Sequence, residues 1–247
     1  MKSTDRHKLK ENDFAHTVAR TRDMLNERPQ EVAFIAIGVL TVALAVGGFF
    51  AWKASRDGKA TTLLASALAV AEAQIVTPPP PAPGSEPPVQ PAGTFRTERE
   101  RLDASLPLLQ RAADAYPGSE AGITARFRLA ASLAGLGRHA EAEQRYQEVV
   151  QKAGARSVYH FTARLGVGEA QLAQAKGDAA IATFRDLASD TNSNLPVDGV
   201  LMQLGRAALV AGKKEDATRA FTRVVDEFPQ SLYASEAKEK IAELKKA

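Results

Sequence analysis

The chain has no cysteine. That excludes disulfides, thiolate metal sites and cysteine nucleophiles, and leaves the compartment open. Aromatic residues make up only 6% of the 247 positions, with a single tryptophan. Alanine is abundant instead, which favours close-packed helices over a β-sandwich. Neither sign of charge dominates: 32 Lys and Arg stand against 29 Asp and Glu, a net charge of +3. So small and dispersed an excess leaves no footprint for nucleic acid. No stretch alternates polar and apolar residues long enough to compete as a strand.

Chemistry is also missing. His7, His16, His139 and His160 are scattered, with no second histidine at metal-ligand spacing. Ser235-Glu236-Ala237-Lys238 spells SxxK, but the SDN and KTG companions of serine acyl enzymes are absent. Gly166-Val167-Gly168 lies inside a helical pattern, with no preceding strand and no Gly-Lys-Ser/Thr after it, so it reads as close helix contact and not as a phosphate loop. The expectation is a protein with no catalytic residues, no cofactor and no metal.

What is present begins with one long apolar run. Val32 to Trp52 has no charged residue in 21 positions. At ~1.5 Å rise per residue it spans ~31 Å, close to the ~30 Å hydrocarbon core of a bilayer. Glu31 and Lys53 end it sharply, and Trp52 sits where an interfacial aromatic belongs. A cleaved signal peptide would have a shorter apolar region followed by a small-x-small site, and Ala51-Trp52-Lys53-Ala54 is a poor one. Residues 32–52 are therefore expected to form a retained transmembrane helix in contact with lipid. Seven Lys/Arg precede it, against Lys53, Arg56 and Lys59 after it. That bias puts the N-terminus in the cytoplasm and the rest outside it, periplasmic in a Gram-negative cell. Ala43, Gly47 and Ala51 follow a small-xxx-small spacing that would let two such helices approach, giving a possible homo-oligomer.

The other boundaries follow from composition. Residues 1–31 form a charged cytoplasmic tail; Phe14, Val18 and Leu25 share one side of a short helix capped at Asn12 or Asp13, or the tail is simply solvated. Residues 53–76 include a membrane-proximal helix from Ala60 to Ile75, with Leu63, Leu64, Leu68, Ala71 and Ile75 on its apolar face. Residues 77–93 are a linker or insertion in which eight of 17 positions are proline, so helix and central strand are excluded. Residues 94–247 read as helical hairpins, with helices over 98–116, 120–136, 139–152, 157–176, 178–189, 197–211, 215–228 and 231–246.

These hairpins echo one another. With Gly212 set on Gly137, Ala217 falls on Ala142, Phe221 on Tyr146 and Val224-Val225 on Val149-Val150. In the C-terminal copy, from Asp198 to Gln230, Leu201, Leu204, Gly205, Ala208, Gly212, Ala217, Phe221 and Pro229 stand at or near signature positions. The copy from Ala121 has Leu129, Ala130, Leu133, Gly137, Ala142 and Tyr146. The pattern resembles tetratricopeptide repeats, helix-turn-helix units of about 34 residues. The copy from Val158 carries Gly168, Gly177, Ala180 and Phe184 with spacing off by one or two residues. The helix over 98–116 looks like a second helix whose partner is 60–75, with the proline segment inserted between them. Ala234, Ala237, Ile241 and Leu244 give the last helix the narrow apolar stripe of a cap.

The resemblance implies an all-α fold: one transmembrane helix, then an α-solenoid of tetratricopeptide-like hairpins with a C-terminal capping helix. The layout of tail, span and repeat domain resembles the bacterial inner-membrane family that includes the ancillary subunit of the SecYEG translocon. That resemblance implies a chaperone-like scaffold whose partners are proteins: translocon subunits, envelope chaperones or exported clients. In tetratricopeptide domains the first helix of each unit lines a groove. Carried over, the groove residues are Thr124, Phe127, Ala131 and Ala134, then Val200, Met202, Arg206 and Leu209. This surface is mostly apolar, suited to an apolar or helical segment, or else buried by the chain itself. Changing Met202 and Phe127 to Glu separates the two: capture lost with helicity kept, or collapse.

Overall fold

The computed structural model describes residues 29–79 and 89–246; the short helix considered for the N-terminal tail lies outside them. Among the described residues the elements are α-helices: α1 Pro29–Ala71, α2 Glu98–Ala115, α3 Glu120–Gly135, α4 His139–Lys152, α5 Val158–Ala173, α6 Gly177–Ser189, α7 Val197–Val210, α8 Lys214–Glu227 and α9 Ala234–Lys246. A single isolated bridge pairs Ile75 with Phe95. The fold is all-α, as the composition requires. Local signals set the helix starts: the Thr97 hydroxyl accepts from the Glu100 N–H at 3.2 Å, and the Ser119 hydroxyl from the Gly122 N–H at 3.0 Å.

The chain divides into two compact units at Arg56/Asp57. In the first, α1 carries Phe34, Ile35, Ile37, Val39, Leu40, Val42, Leu44, Val46, Phe49, Phe50 and Trp52 with their side chains exposed. It is long and apolar enough to cross a membrane. Ala43, Gly47 and Ala51 are exposed too, with nothing within 4 Å of a Cβ built at Gly47.

The second unit begins at Asp57, well before the expected domain start at residue 94. The expected separate helix over 60–75 is the end of α1, which runs unbroken to Ala71. Residues 53–59 hold no proline, and Gly58 costs a helix only ~1 kcal/mol. The helix stops short of Ile75 because the chain there turns extended. Val76 N–H donates to Phe95 O at 2.8 Å and Phe95 N–H to Gln74 O at 3.0 Å. Gln90 adds a side-chain bond to Val76 O at 3.0 Å. The proline-rich segment is thus stapled at its base.

The last turns of α1 pair with α2. Ala67 shares a core with Leu109, and Leu63 and Leu64 pack on Ala112, Ala113 and Ala125. With that pair counted, four hairpins stack in order: 57–71 with α2, α3 with α4, α5 with α6, and α7 with α8, capped by α9. Each brings a small residue of its first helix, Ala67, Ala130, Gly168 or Gly205, into the core. Each second helix adds a small residue, Ser105, Ala142, Ala180 or Ala217, and four positions later a large one, Leu109, Tyr146, Phe184 or Phe221. All of these residues are buried. Residues four apart lie on one helical face, so each pair drives a small-then-large ridge into the neighbouring helix.

The period is longer than the resemblance implied. Ala130, Gly168 and Gly205 stand 38 and then 37 residues apart, against about 34 for the family. This regular spacing also fixes the hairpin over 158–189, whose phase the sequence left open. Its left-handed turn residue is Ala175, at φ 56°, where the flanking hairpins use Gly137 at 78° and Gly212 at 72°. Gly177, which seemed to be that turn glycine, lies two residues on. A Cβ there would come within 2.7 Å of the Ala211 backbone N.

Candidate docking face

The first helices of successive hairpins, α3, α5 and α7, lie side by side and end against α9. At the α3–α5 seam the Thr124 hydroxyl donates to Tyr159 Oη at 2.9 Å. The Phe127 ring meets Tyr146 and Tyr159 edge-on, with centroids 5.5 and 5.7 Å apart. At the α5–α7 seam Gln203 reaches Glu169 at 3.5 Å. Beyond it, the Arg206 guanidinium donates to the Glu236 carboxylate of α9 at 2.7 Å. The result is a continuous strip: aromatic at one end, a lone carboxylate in the middle, an ion pair at the other end.

Glu169 keeps open surface, yet the apolar groups around its carboxylate desolvate it and raise its pKa. Burial, and then the nearby Glu169 charge, push the Tyr146 phenol up to about 12, so it stays neutral. Tyr146 holds its position because α5 makes room for it. A Cβ on Gly166 would come within 2.7 Å of the Tyr146 ring, and one on Gly168 within 2.5 Å of the Phe184 ring. The Gly166-Val167-Gly168 run therefore receives two aromatic rings, one from the preceding hairpin and one from its own.

Behind the strip, Glu143 of α4 fastens two hairpins together. Its carboxylate accepts from Gln171 at 3.0 Å, Gln174 at 2.9 Å and Lys176 at 2.9 Å. Partial burial pushes its carboxyl up, but the hydrogen bonds from Lys176, Gln171 and Gln174 outweigh this and leave it below the ordinary value. Arg126 performs a similar task one hairpin earlier. Almost wholly buried, it lies 2.9 Å from Glu148 and 3.3 Å from Asp114 and donates to Ala113 O at 3.1 Å.

The residues expected to line the groove divide. Thr124 and Phe127 are half-buried within the aromatic cluster, Ala131 is exposed, and Ala134 packs partly on the core. Arg206 is half-exposed and ion-paired. Val200 and Met202 are corrections: only 3% and 1% exposed, they belong to the core with Phe184, Leu187, Leu201 and Phe221. Leu209 packs partly on the same core. The cause is rotation about α7, whose outward side is Gly199, Gln203, Arg206 and Val210, spaced four, three and four residues apart. Met202 lies one step off that stripe. A Met202→Glu change would place a charge in the core and would test the fold, not the groove.

Tyr159, Glu169, Gln203 and Glu236 were not legible as face residues. The signal that could have found them is the even spacing of Gly168, Ala180 and Phe184 with the flanking hairpins. Among the described residues, no group of three His, Asp or Glu could hold a metal ion. His160 Nδ1 is engaged with Val150 O at 3.1 Å.

Comparison with known proteins agrees with this geometry. The tetratricopeptide repeat family model matches residues 124–154 and 200–231, so two of the stacked hairpins are tetratricopeptide repeats by sequence. Among solved structures, the chain is similar to nearly identical TPR-like repeats assigned to a kinesin light chain of Podosopora anserina. It is 13% identical over 60% of this chain and 79% of that one, with a TM-score of 0.50. A single-substitution variant of the same repeats gives 13% identity over 60% and 78%, with a TM-score of 0.51. At this identity the likeness shows the fold alone, a tetratricopeptide-like α-solenoid. No curated protein sequence matches the chain. Tetratricopeptide repeats make the chain a protein–protein interaction scaffold with protein partners.

Proposed function

We propose that this scaffold is a membrane-anchored adaptor that holds protein partners at or beyond the inner membrane. The observation that carries the reading is the uncovered apolar surface of α1 from Phe34 to Trp52, in the same chain as a repeat face with exposed positions at Ala131, Glu169 and Val210 and a half-buried Gln203. Burying an apolar side chain of that size is worth about 1.5–3 kcal/mol, so a surface this large calls for a bilayer or a partner. The excess of Lys and Arg before the span favours a cytoplasmic N-terminus and a repeat domain outside the cytoplasm. The layout supports a place beside the protein translocon, with translocon subunits, envelope chaperones or exported clients on the face.

The face itself points to binding by contact. It offers apolar steps at Ala131 and Val210 and polar groups at Glu169 and Gln203, suited to a helix or extended segment with apolar anchors. The test is capture from membranes by the full chain carrying Ala131→Arg and Val210→Glu. Both side chains are exposed, so helicity should persist while capture of translocon subunits or exported proteins falls at least tenfold. Unchanged capture would remove the face from the account. If only copies of the chain itself are recovered, contact through Ala43, Gly47 and Ala51 makes it a structural oligomer instead.

A further inference from the structure

We infer that Glu169 is the acceptor for a basic side chain, lysine or arginine, carried by a partner segment lying on the repeat face. The inference deepens the adaptor reading and rests on that face being open to a partner. Tyr159, Thr162, Gly166 and Glu169 are spaced three, four and three apart and make one stripe of α5. Tyr159 belongs to the aromatic cluster with Phe127, Gly166 lies against the Tyr146 ring, and Glu169 meets Gln203 of α7 across the seam. The stripe therefore runs from an aromatic surface to a carboxylate.

That carboxylate has no cation of its own. The helices that build the face, α3, α5 and α7, contain no lysine, and each of their arginines already has a carboxylate. Arg126 lies 2.9 Å from Glu148, Arg128 3.5 Å from Glu72, Arg164 2.8 Å from Asp190 and Arg206 2.7 Å from Glu236. Arg206 is the telling case. Gly168 and Gly205 hold equivalent places in their hairpins, so Glu169 and Arg206, the residues that follow them, do as well. The cation in the neighbouring place turns to α9 instead of crossing to Glu169. Among the described residues no ion pair engages Glu169, and its hydrogen bond from Gln203 is long, at 3.5 Å. Desolvation raises its pKa, and no neighbouring cation offsets the rise. A carboxylate short of water and of a counter-ion gains most from a charge-assisted bond. An acidic partner group would be repelled and an apolar one would leave the charge uncompensated, so the complementary group is a cation. From Tyr159 to Glu169 the helix rises ~15 Å, which an extended segment covers in about four or five residues. The ligand class is thus a peptide segment with a basic residue about that far from an apolar one.

The test selects phage-displayed peptides of about twelve residues on the full chain in phosphatidylcholine nanodiscs, after depletion on empty nanodiscs. The expected peptides carry a lysine or arginine at a fixed distance from an apolar residue. Selection on Glu169→Gln, which keeps the shape and removes the charge, should lose the basic position and keep the apolar one. A peptide selected on the parent should bind it about tenfold more tightly than it binds Glu169→Gln. Norleucine in place of the peptide's basic residue should cost the parent a similar factor and the variant little, because the two changes remove the same contact. Selected peptides with no fixed basic residue, or equal affinity for parent and variant, would overturn the role of Glu169 and leave docking on the face standing. No peptide enriched above empty nanodiscs would bring down the docking face itself.

Discussion

The hairpin over 158–189 and the hairpin over 197–227 dock in the same way with different punctuation. Gly168 receives Phe184 just as Gly205 receives Phe221, and Ala180 and Ala217 occupy the same place between them. The turns differ. Gly212 takes the left-handed conformation without strain, while Ala175 takes it at a steric cost. The family model matches the C-terminal hairpin and passes over the middle one. Packing, and not the turn signature, defines the unit here. A glycine in the turn is a convenience, whereas a small residue beneath an aromatic ring is a requirement of close approach.

If packing defines the unit, equivalent cuts in the two hairpins must cost the same. Phe184→Ala and Phe221→Ala should each destabilise the full chain by about 3–5 kcal/mol, measured by urea titration of far-UV circular dichroism in detergent. A difference greater than about twofold would break the equivalence. Overpacking comes next. Gly168→Ala and Gly205→Ala each drive a Cβ into the facing phenylalanine ring and should cost about 1–3 kcal/mol, where Gly118→Ala, with open space around it, costs little.

The Glu143 network sharpens the comparison, because it ties the middle hairpin to the one before it. The folded state holds this carboxyl below its ordinary value, so its contribution is complete above the ordinary carboxylate range and is lost as pH falls through the lowered folded value. Glu143→Gln should cost about 1–2 kcal/mol at neutral pH, with the gap from the parent chain closing in acid, followed by melting at a series of pH values. The smallest effect has opposite signs in the two turns. Ala175→Gly should stabilise and Gly212→Ala should destabilise, each by about 1 kcal/mol.

Much of this architecture was legible in the sequence. The long apolar helix and the helices from Glu98 onward follow from periodicity, caps and breakers, and the observed ends of the latter fall within a few residues of expectation. The phase of the middle hairpin stayed open because Gly177, between its two expected helices, stands off the spacing of Gly137 and Gly212, while the true turn residue is an alanine, Ala175, that no local signal marks. The break expected before Ala60 does not exist, since nothing between Lys53 and Lys59 stops a helix. The face was harder still. Which side of α7 looks outward depends on its neighbours, and covering by α6, α8 and α9 turns Met202 inward and leaves Gln203 and Arg206 out. That is tertiary information, and a one-residue rotation is enough to exchange a core methionine for a half-exposed glutamine.

The most direct test uses that one-residue difference. Photo-crosslinking probes are placed in the full chain, in membranes, at Gln203 and separately at Met202, and the products are identified by mass spectrometry. The adaptor account predicts crosslinks from position 203 to other proteins, translocon subunits or exported proteins among them, and none beyond the chain itself from position 202. Equal partner crosslinking from both positions, or only self-crosslinks from 203, would contradict it.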